Sequence, residues 1–244
     1  MQVSDDLFLG AANVLLLPGA DQPSPTTNGV GPMGRVYIWD VVPLTLQAAG
    51  LAASQTPSGA GPLVLTAGAG VTVSQNAKGE TLYTLDVPRC VTVTSGGAAG
   101  VANFTITGYD QYGQPMSQTI AGPSTNTVAT TKAFKSIVAI TGTGAAAAAV
   151  TAGFNDKLGL PFRMSNVGYI VSVKWNSALA QDAGTAVAAD ATSPATATTT
   201  DVRGCYTPSS AADGVKRLVM CLALPAIAVG PQATRIGAVG VTQA

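Results

Sequence analysis

The chain has 244 residues, contains no histidine, and carries 12 basic and 12 acidic residues, so its formal net charge is zero. The lack of histidine removes the commonest general base and most catalytic zinc sites, and the scattered basic residues argue against a nucleic-acid-binding protein. Charged residues are 10 % of the chain, against about 25 % in ordinary domains, so the protein is poorly protected against self-association. It is either merely prone to stick or, as we expect, has a surface that partners cover in an assembly.

The composition favours short strands over helices. Thr, Ala, Val and Gly replace the usual exposed-helix residues, and 28 glycines and 15 prolines interrupt the chain every few residues. No apolar run reaches the ~18 residues of a membrane helix, and the acidic start, MQVSDDLFLG, lacks the basic region of a secretion signal. We therefore predict no membrane partner and an all-β fold, a β-sandwich or jelly-roll-like arrangement of antiparallel sheets with extended N- and C-terminal arms.

The first third of the chain predicts an arm followed by strands. Residues 1–34 alternate short apolar patches with loop residues, which predicts an extended arm that gains stability by lying on another surface. Residues 35–46, RVYIWDVVPLTL, predict a strand that Pro43 ends or places at an edge. Residues 47–62 predict a loop, or a helical turn followed by a loop. Short strands are then expected at 63–65, 71–73 and 81–85, with a turn at 76–79.

A β-sandwich body is expected over residues 35–224, with a central module at about 86–162. The module opens with a strand at 87–95, in which Pro88 stands near the start, where a missing N–H is tolerated. Another strand of the module is expected at 133–140, after a β-hairpin, and its alternation does not decide which face is buried.

A β-hairpin is the strongest local signal, in the segment NFTITGYDQYGQPMSQTI. Asp110 suits the first position of a type I turn, and Gly113 suits a residue with positive φ in a turn closed by a bulge. A plain four-residue loop would set Ile120 opposite Asn103. The bulged register keeps Phe104 and Ile120 on one face, so it is preferred. That register also pairs Gly108 with Met116, and Ile106 with Gln118.

The last third predicts two strong strands that pair. They lie at 168–175 and at 216–224. In the first of them, one face would be shared by Tyr169, Val171, Val173 and Trp175. A long surface excursion at 177–200, a short strand at 202–206 and a turn at 209–214 are expected between them. Residues 225–244 predict an extended, Gly-rich tail.

The search for chemistry returns no catalytic residue, no cofactor site and no metal site. The three cysteines, Cys90, Cys205 and Cys221, are an odd number without short spacing, which predicts small buried hydrophobes rather than a zinc site or a disulfide framework. Glu80 is the only glutamate, and most aspartates stand in turn contexts. We therefore predict that the chain is not an enzyme.

Two weaker groups of candidate residues remain. Four aspartates could offer oxygens to a hard cation, although their spacing fits no known loop: Asp182, Asp190, Asp201 and Asp213. Five aromatic residues could stack on sugars, although such residues more often anchor a core or an interface: Tyr37, Trp39, Tyr109, Tyr112 and Trp175.

A family resemblance starts from three phrases in order: NFTITGYDQYGQPMSQTIAGP, TKAFKSIVAIT and GFNDKLGLPFR. They are similar to virion structural proteins of tailed bacteriophages, and the flanking phrases extend the resemblance over most of residues 35–230. Where that family often has Glu in the second strand of the hairpin, this chain has Gln118, which removes one possible ion pair. The resemblance brings no catalytic residues.

The resemblance implies a head decoration (cement) protein in the virion, assembled in the host cytoplasm. Its expected partners are the major capsid protein and further copies of itself, in a homo-oligomer such as a trimer, with no specific nucleic acid. Another virion part is the alternative: a tail tube, a head–tail connector or a fibre-anchoring protein, which copy number would separate from a head protein. A carbohydrate-binding β-sandwich protein is the second alternative.

Overall fold

The computed structural model describes residues 7–9, 34–100, 103–164, 166–176, 178–190 and 200–224, and within them the secondary structure is fourteen strands and one 3₁₀ turn. The strands are β1 (Leu7–Leu9), β2 (Gly34–Val41), β3 (Gln47–Gln55), β4 (Gly61–Pro62), β5 (Thr72–Gln75), β6 (Thr81–Ser95), β7 (Phe104–Tyr109), β8 (Pro115–Ile120), β9 (Thr127–Gly142), β10 (Val150–Gly159), β11 (Ile170–Trp175), β12 (Thr185–Val187), β13 (Cys205–Thr207) and β14 (Leu218–Leu224).

The strands form two antiparallel sheets. Sheet A has four strands in the order β1-β2-β14-β11, and sheet B has ten, with the main path β12-β13-β10-β6-β9-β7-β8 and with β3, β4 and β5 beside it. The sheets curl into a half-barrel. The predicted all-β fold of antiparallel sheets is confirmed. Most of the two predicted arms lies outside the described residues, but β1 falls within the first arm and pairs with β2.

Two hydrophobic cores hold the sheets. The larger lies within the curl of sheet B, where Phe104, Phe134 and Phe154 are almost completely buried. The smaller lies between the sheets, where Trp39 and Met220 of sheet A pack with Leu158 of sheet B in one cluster. Burying a large side chain stabilises a fold by about 1.5–3 kcal/mol, so the second core is what attaches sheet A to sheet B.

The hairpin adopts the bulged register. Phe104 pairs with Ile120 and Gly108 with Met116, and the Asp110 N–H donates to the Gln114 carbonyl at 3.0 Å. Gly113 has φ +77°, the left-handed conformation that only glycine adopts at little cost. The sequence-based prediction of this turn and register is confirmed.

Gln118 ties the free edge of β8 to β9. Its Oε1 accepts hydrogen bonds from the backbone N–H groups of Thr131, at 3.0 Å, and Lys132, at 2.9 Å. Its Nε2 donates to the Thr131 hydroxyl at 2.9 Å. This amide side chain therefore links β8 to β9 on this side of the curl.

The predicted loop at 47–62 is wrong, because residues 47–55 form β3. This segment is rich in Ala, which has little strand preference, but β3 pairs with β10 and buries Leu51 and Ala52 completely. Gly153 on β10 makes the pairing possible: a Cβ there would lie 1.8 Å from the Gln47 carbonyl oxygen. Tertiary pairing thus overrides the local preference.

The predicted break between strands at 81–85 and 87–95 is also wrong, because β6 is continuous from Thr81 to Ser95. Pro88 lies inside it, at a shift of register between Thr84 and Arg89 in the pairing with β9. At a bulge a residue is left out of the hydrogen-bond ladder, so the missing backbone N–H of Pro88 is tolerated there. The predicted strand at 63–65 is a loop in which the Leu63 N–H donates to the Ile140 carbonyl at 2.8 Å.

The last third follows the predicted pairing of β11 with β14. One detail is wrong: the register shifts between Ile170 and Ser172, and this turns Val171 outward, with 57 % of its surface exposed, while Val173 stays buried. The expected strand at 202–206 is shorter and later, at Cys205–Thr207. Part of the expected excursion, 191–199, lies outside the described residues.

Candidate functional site

The tip of the β7–β8 hairpin is held by a buried ion pair. Asp110 Oδ2 accepts a hydrogen bond from Arg203 Nη2 at 2.7 Å, and both side chains are at most 2 % exposed. Asp110 Oδ1 accepts from the backbone N–H groups of Tyr112, at 2.8 Å, and Gln114, at 2.9 Å. One carboxylate therefore builds the turn and fastens it to the loop before β13.

Tyr112 lies between this ion pair and the segment of the same chain that contains Pro161. The Arg203 guanidinium lies over its ring at 4.9 Å from the centroid, and its hydroxyl donates to the Pro161 carbonyl at 2.7 Å. Gln111 Nε2 donates to the same carbonyl at 3.3 Å. Burial raises the pKa of the Tyr112 hydroxyl, yet 42 % of the residue stays exposed.

A second ion cluster surrounds Arg89, whose side chain is completely buried. Its guanidinium donates to both oxygens of Asp86, at 2.9 and 2.7 Å, to Asp156 Oδ1 at 2.9 Å and to the Leu44 carbonyl at 2.6 Å. It also lies 5.2 Å from the centroid of the Phe154 ring. The cluster fixes the connection after β2 onto sheet B, since Asp86 Oδ2 also accepts from the Leu44 N–H at 2.7 Å.

Two lysines also point their ammonium groups at backbone carbonyls. Lys135 Nζ donates to the carbonyls of Leu85, at 2.6 Å, and Asp86, at 2.8 Å, and Lys132 Nζ donates to the Ser117 carbonyl at 3.1 Å. Desolvation lowers the pKa of both lysines. The charge of these residues is thus used inside the protein rather than displayed on its surface.

An inter-sheet cleft of about 330 Å³, lined by described residues, is a candidate for a small-molecule site. Its lining comes from β2, β6, β9 and the hairpin tip: Trp39, Asp40, Val41, Asp86, Val87, Pro88, Gln111, Tyr112 and Lys135. Arg89 neutralises Asp86, and the hydrogen bond from Arg217 lowers the pKa of Asp40. A general acid needs a raised pKa, so Asp40 is tuned in the opposite direction.

Three of the four aspartates that could offer oxygens to a cation accept hydrogen bonds from their own surroundings, and the fourth, Asp190, donates its backbone N–H to the Asp201 carbonyl at 3.1 Å. Asp182 accepts from the Tyr206 hydroxyl at 2.5 Å, and Asp213 accepts from the N–H groups of its own turn. Asp201 accepts from the N–H groups of Ala133 and Arg203, at 3.0 and 2.9 Å. No cluster of three or more potential metal-ligating residues of the types His, Cys, Asp and Glu occurs in the described part of the chain.

The five aromatic residues considered for sugar stacking are mostly committed to packing. Tyr37 meets Phe162 edge to face, with ring centroids 4.7 Å apart, and Trp39 is buried in the same core. The Tyr109 hydroxyl donates to Glu80 Oε2 at 2.5 Å. Trp175 is half-buried. Of the five, Tyr112 keeps the most accessible ring, at the rim of the inter-sheet cleft.

The surface combines exposed apolar side chains with hydroxyl groups. The strongly exposed apolar residues are Val64, Val171, Leu179 and Val215. In sheet A, the register pairs Ile38 with Cys221 on the face opposite the buried Trp39 and Met220. On sheet B, cross-strand threonine hydroxyls hydrogen-bond at 2.8 Å in the pairs Thr94–Thr127 and Thr105–Thr119.

Comparison with known proteins adds no family to this description. No protein-family model, no curated protein and no solved structure matches the chain. Within the described residues, no helix has the length and apolar character that crossing a bilayer requires. The fold and its surfaces therefore carry the functional argument together with the resemblance in the sequence.

Proposed function

We propose that the chain is a structural protein of a tailed-bacteriophage virion. It decorates the capsid and stabilises it by bridging neighbouring subunits of the major capsid protein, as a homo-oligomer and without catalysis. The observation that carries this proposal is the use of charge: among the described residues, six charged side chains are buried, in a chain that has few charged residues to begin with. They are Arg89, Asp110, Lys132, Asp190, Asp201 and Arg203.

Internal charge and a sparsely charged exterior suit a protein that covers surfaces. A lone soluble domain is usually protected by surface charge of both signs, whereas interface cores are depleted of charged residues. Here apolar side chains such as Val64 and Val215 are exposed, and threonine hydroxyls keep sheet B wettable without charge. The phrases that resemble phage virion proteins include the hairpin and β9, which form one side of the curled sheet.

The contacts of such a protein are mainly apolar and backbone contacts, so binding should depend little on salt. Screening weakens only interactions between charges, over about 8 Å at physiological ionic strength. The predicted arms, residues 1–34 and 225–244, are the best candidates for contacts between subunits. Deleting either should weaken assembly more than it weakens the fold of residues 86–162.

A co-sedimentation experiment tests the proposal. Purified chain is mixed with capsids of the encoding phage that lack it, and the bound chain per capsid is measured after centrifugation at 50 mM and 500 mM salt. We expect saturable binding with hundreds of copies per particle and less than a threefold change with salt. Absence of binding to these capsids at either salt concentration would refute the decoration role.

A tail tube, head–tail connector or fibre-anchoring protein is the alternative within the virion. The same internal use of charge would serve any of these parts. Copy number separates them: six or twelve copies per particle, counted by quantitative mass spectrometry of purified virions, would favour the connector over the head surface.

Carbohydrate binding is the second alternative, and the inter-sheet cleft is the observation that favours it. The accessible ring of Tyr112 and the amide of Gln111 line this cleft, and an aromatic face beside polar groups suits a sugar. A glycan array with the parent chain and with Tyr112→Ala tests it. A signal that the substitution abolishes would support this function over decoration alone.

A further inference from the structure

Two cysteines that stand 115 positions apart in the sequence meet inside the protein. Cys90 on β6 and Cys205 on β13 form a small cluster with Ala133 of β9, and both cysteines are completely buried. Cys90 Sγ lies 3.8 Å from the Thr131 carbonyl oxygen, and Cys205 Sγ lies 3.9 Å from the same oxygen. Two thiols that share one acceptor atom are brought together around a single point of the fold.

The surroundings favour the protonated form of the Cys90 thiol. The Cys205 thiol and burial, in that order, raise the pKa of Cys90. The Thr200 hydroxyl lies 3.7 Å from Cys205 Sγ, and Lys157 and Asp201 act on Cys90 with opposite effects. Cys221 is on β14 in sheet A, outside this cluster. The chain therefore contains one neighbouring pair of thiols and one internal control.

We propose that Cys90 and Cys205 are a site of covalent modification. Reaction with a small-molecule disulfide such as oxidised glutathione converts the two thiols into an intramolecular Cys90–Cys205 disulfide. The Cys205 thiolate attacks one glutathione sulfur, which forms a mixed disulfide and releases one glutathione thiolate. The Cys90 thiolate then attacks the Cys205 sulfur and releases the second. Two protein thiols are oxidised, one glutathione disulfide is reduced to two glutathione thiols, and the two protons that the protein thiols lose are taken up, through the solvent, by the two released glutathione thiolates.

The bond would add a covalent link at a short strand of sheet B. β13 pairs with β10 at only two positions, Leu158 with Tyr206 and Gly159 with Cys205, and β12 is attached through β13. Opening of this short edge is the local event that gives the oxidant access, and closure of the disulfide links β13 directly to β6. This inference is independent of the proposed role in the virion.

The experiment brings the full-length chain to equilibrium in a glutathione redox buffer from two sides. One sample starts folded and reduced, and the other refolds from urea in the same buffer. After acid quenching, unfolding and alkylation, we expect one alkylated cysteine instead of three and a mass lower by 2 Da before alkylation. Trypsin should then release residues 90–132 joined to residues 204–216, with Cys221 in the alkylated peptide.

Matched variants make the result decisive. Cys221→Ser should form the same bond, whereas Cys90→Ser and Cys205→Ser should not lose 2 Da. The oxidised chain should also unfold at a higher urea concentration than the reduced chain, because the link constrains the unfolded state. The linked peptide in either sample supports the proposal. Three alkylated cysteines in both samples, or a link that involves Cys221, would overturn it.

Discussion

Asp110→Asn tests the idea that buried charge holds the hairpin in place. Asparagine keeps an oxygen where Asp110 Oδ1 accepts the N–H groups of Tyr112 and Gln114, so the turn retains its local hydrogen bonds. What the substitution removes is the negative charge that faces Arg203, whose side chain is 2 % exposed. The guanidinium is then left buried without its counter-charge.

The expected cost is large because the partner cannot reach water. Breaking a buried ion pair from one side typically costs about 3–5 kcal/mol, and Arg203 Nε already has no hydrogen-bond partner. The Tyr112 ring at 4.9 Å offers a cation–π contact of about 2 kcal/mol when desolvated, which is also present in the parent. We therefore expect Asp110→Asn to lower the free energy of unfolding by about 3 kcal/mol.

A double-mutant cycle in urea supplies the measurement. The double variant Asp110→Asn with Arg203→Met removes both charges and keeps the volume, so it should recover at least half of the stability that Asp110→Asn loses. Lys216→Met is the control, because its ion pair with Asp213 is exposed on both sides and should cost at most about 1 kcal/mol. A loss below about 1 kcal/mol for Asp110→Asn would refute the reasoning.

Three further predictions concern the edge of β8, the β3–β10 contact and alkaline pH. Gln118→Ala should lower the free energy of unfolding in urea by about 2 kcal/mol, because two backbone N–H groups lose the side-chain oxygen that accepts from them. Gln118→Glu keeps this acceptor and should cost less. Equal losses of stability in the two variants would contradict the prediction. Gly153→Ala should cost about 3 kcal/mol or prevent folding, since the new Cβ would collide with the Gln47 carbonyl. Gly144→Ala is the control, because a Cβ there meets open space, and it should leave the thermal midpoint within a few degrees of the parent. Similar midpoints for the two variants would count against the close β3–β10 contact. Burial, and after it Tyr112, raises the pKa of Tyr37 from 10.0 to about 12. The contribution of this residue to stability is therefore present below pH 10 and is lost between pH 10 and 12, at about 1.4 kcal/mol per pH unit. Tyr37→Phe should flatten this decline in urea unfolding at pH 9 to 11, and parallel curves for the parent and the variant would exclude Tyr37 as its cause.

The features that sequence reasoning found are those with local causes. The hairpin register follows from Asp110, Gly113 and the need to keep Phe104 and Ile120 on one face. The pairing of β11 with β14 follows from two strongly apolar segments that both need a partner. In each case a few neighbouring residues determine the geometry, so the pattern is visible in the chain itself.

The features that it missed depend on contacts between distant segments. Nothing within Gln47–Gln55 favours a strand, because its Ala residues acquire strand conformation only by pairing with β10. Pro88 suggests a boundary, and only the bulge against β9 explains its place inside β6. The burial of Arg89 and Arg203 has a faint signal, an aspartate two or three residues before each arginine, but that spacing is common in exposed turns.

The candidate site shows the same division. Sequence reasoning grouped aromatic residues for sugar stacking, but it could not show that Trp39 faces a core while Tyr112 stands at the rim of a cleft. The neighbouring position of Cys90 and Cys205 was hidden by their separation in the chain. An odd number of cysteines without short spacing says nothing about which two of them meet.

Two strands that pair in sheet A are synthesised far apart in time. Strand β2 emerges early, but its partner β14 is translated last among the described strands. At about 5–20 residues per second, β2 waits on the order of 10–35 s for that partner. During this interval Trp39 has no inter-strand neighbour on the β14 side, so a nascent chain that stalls before β14 presents an apolar strand to chaperones and proteases. Translation of β14 is therefore the event that completes sheet A between β2 and β11.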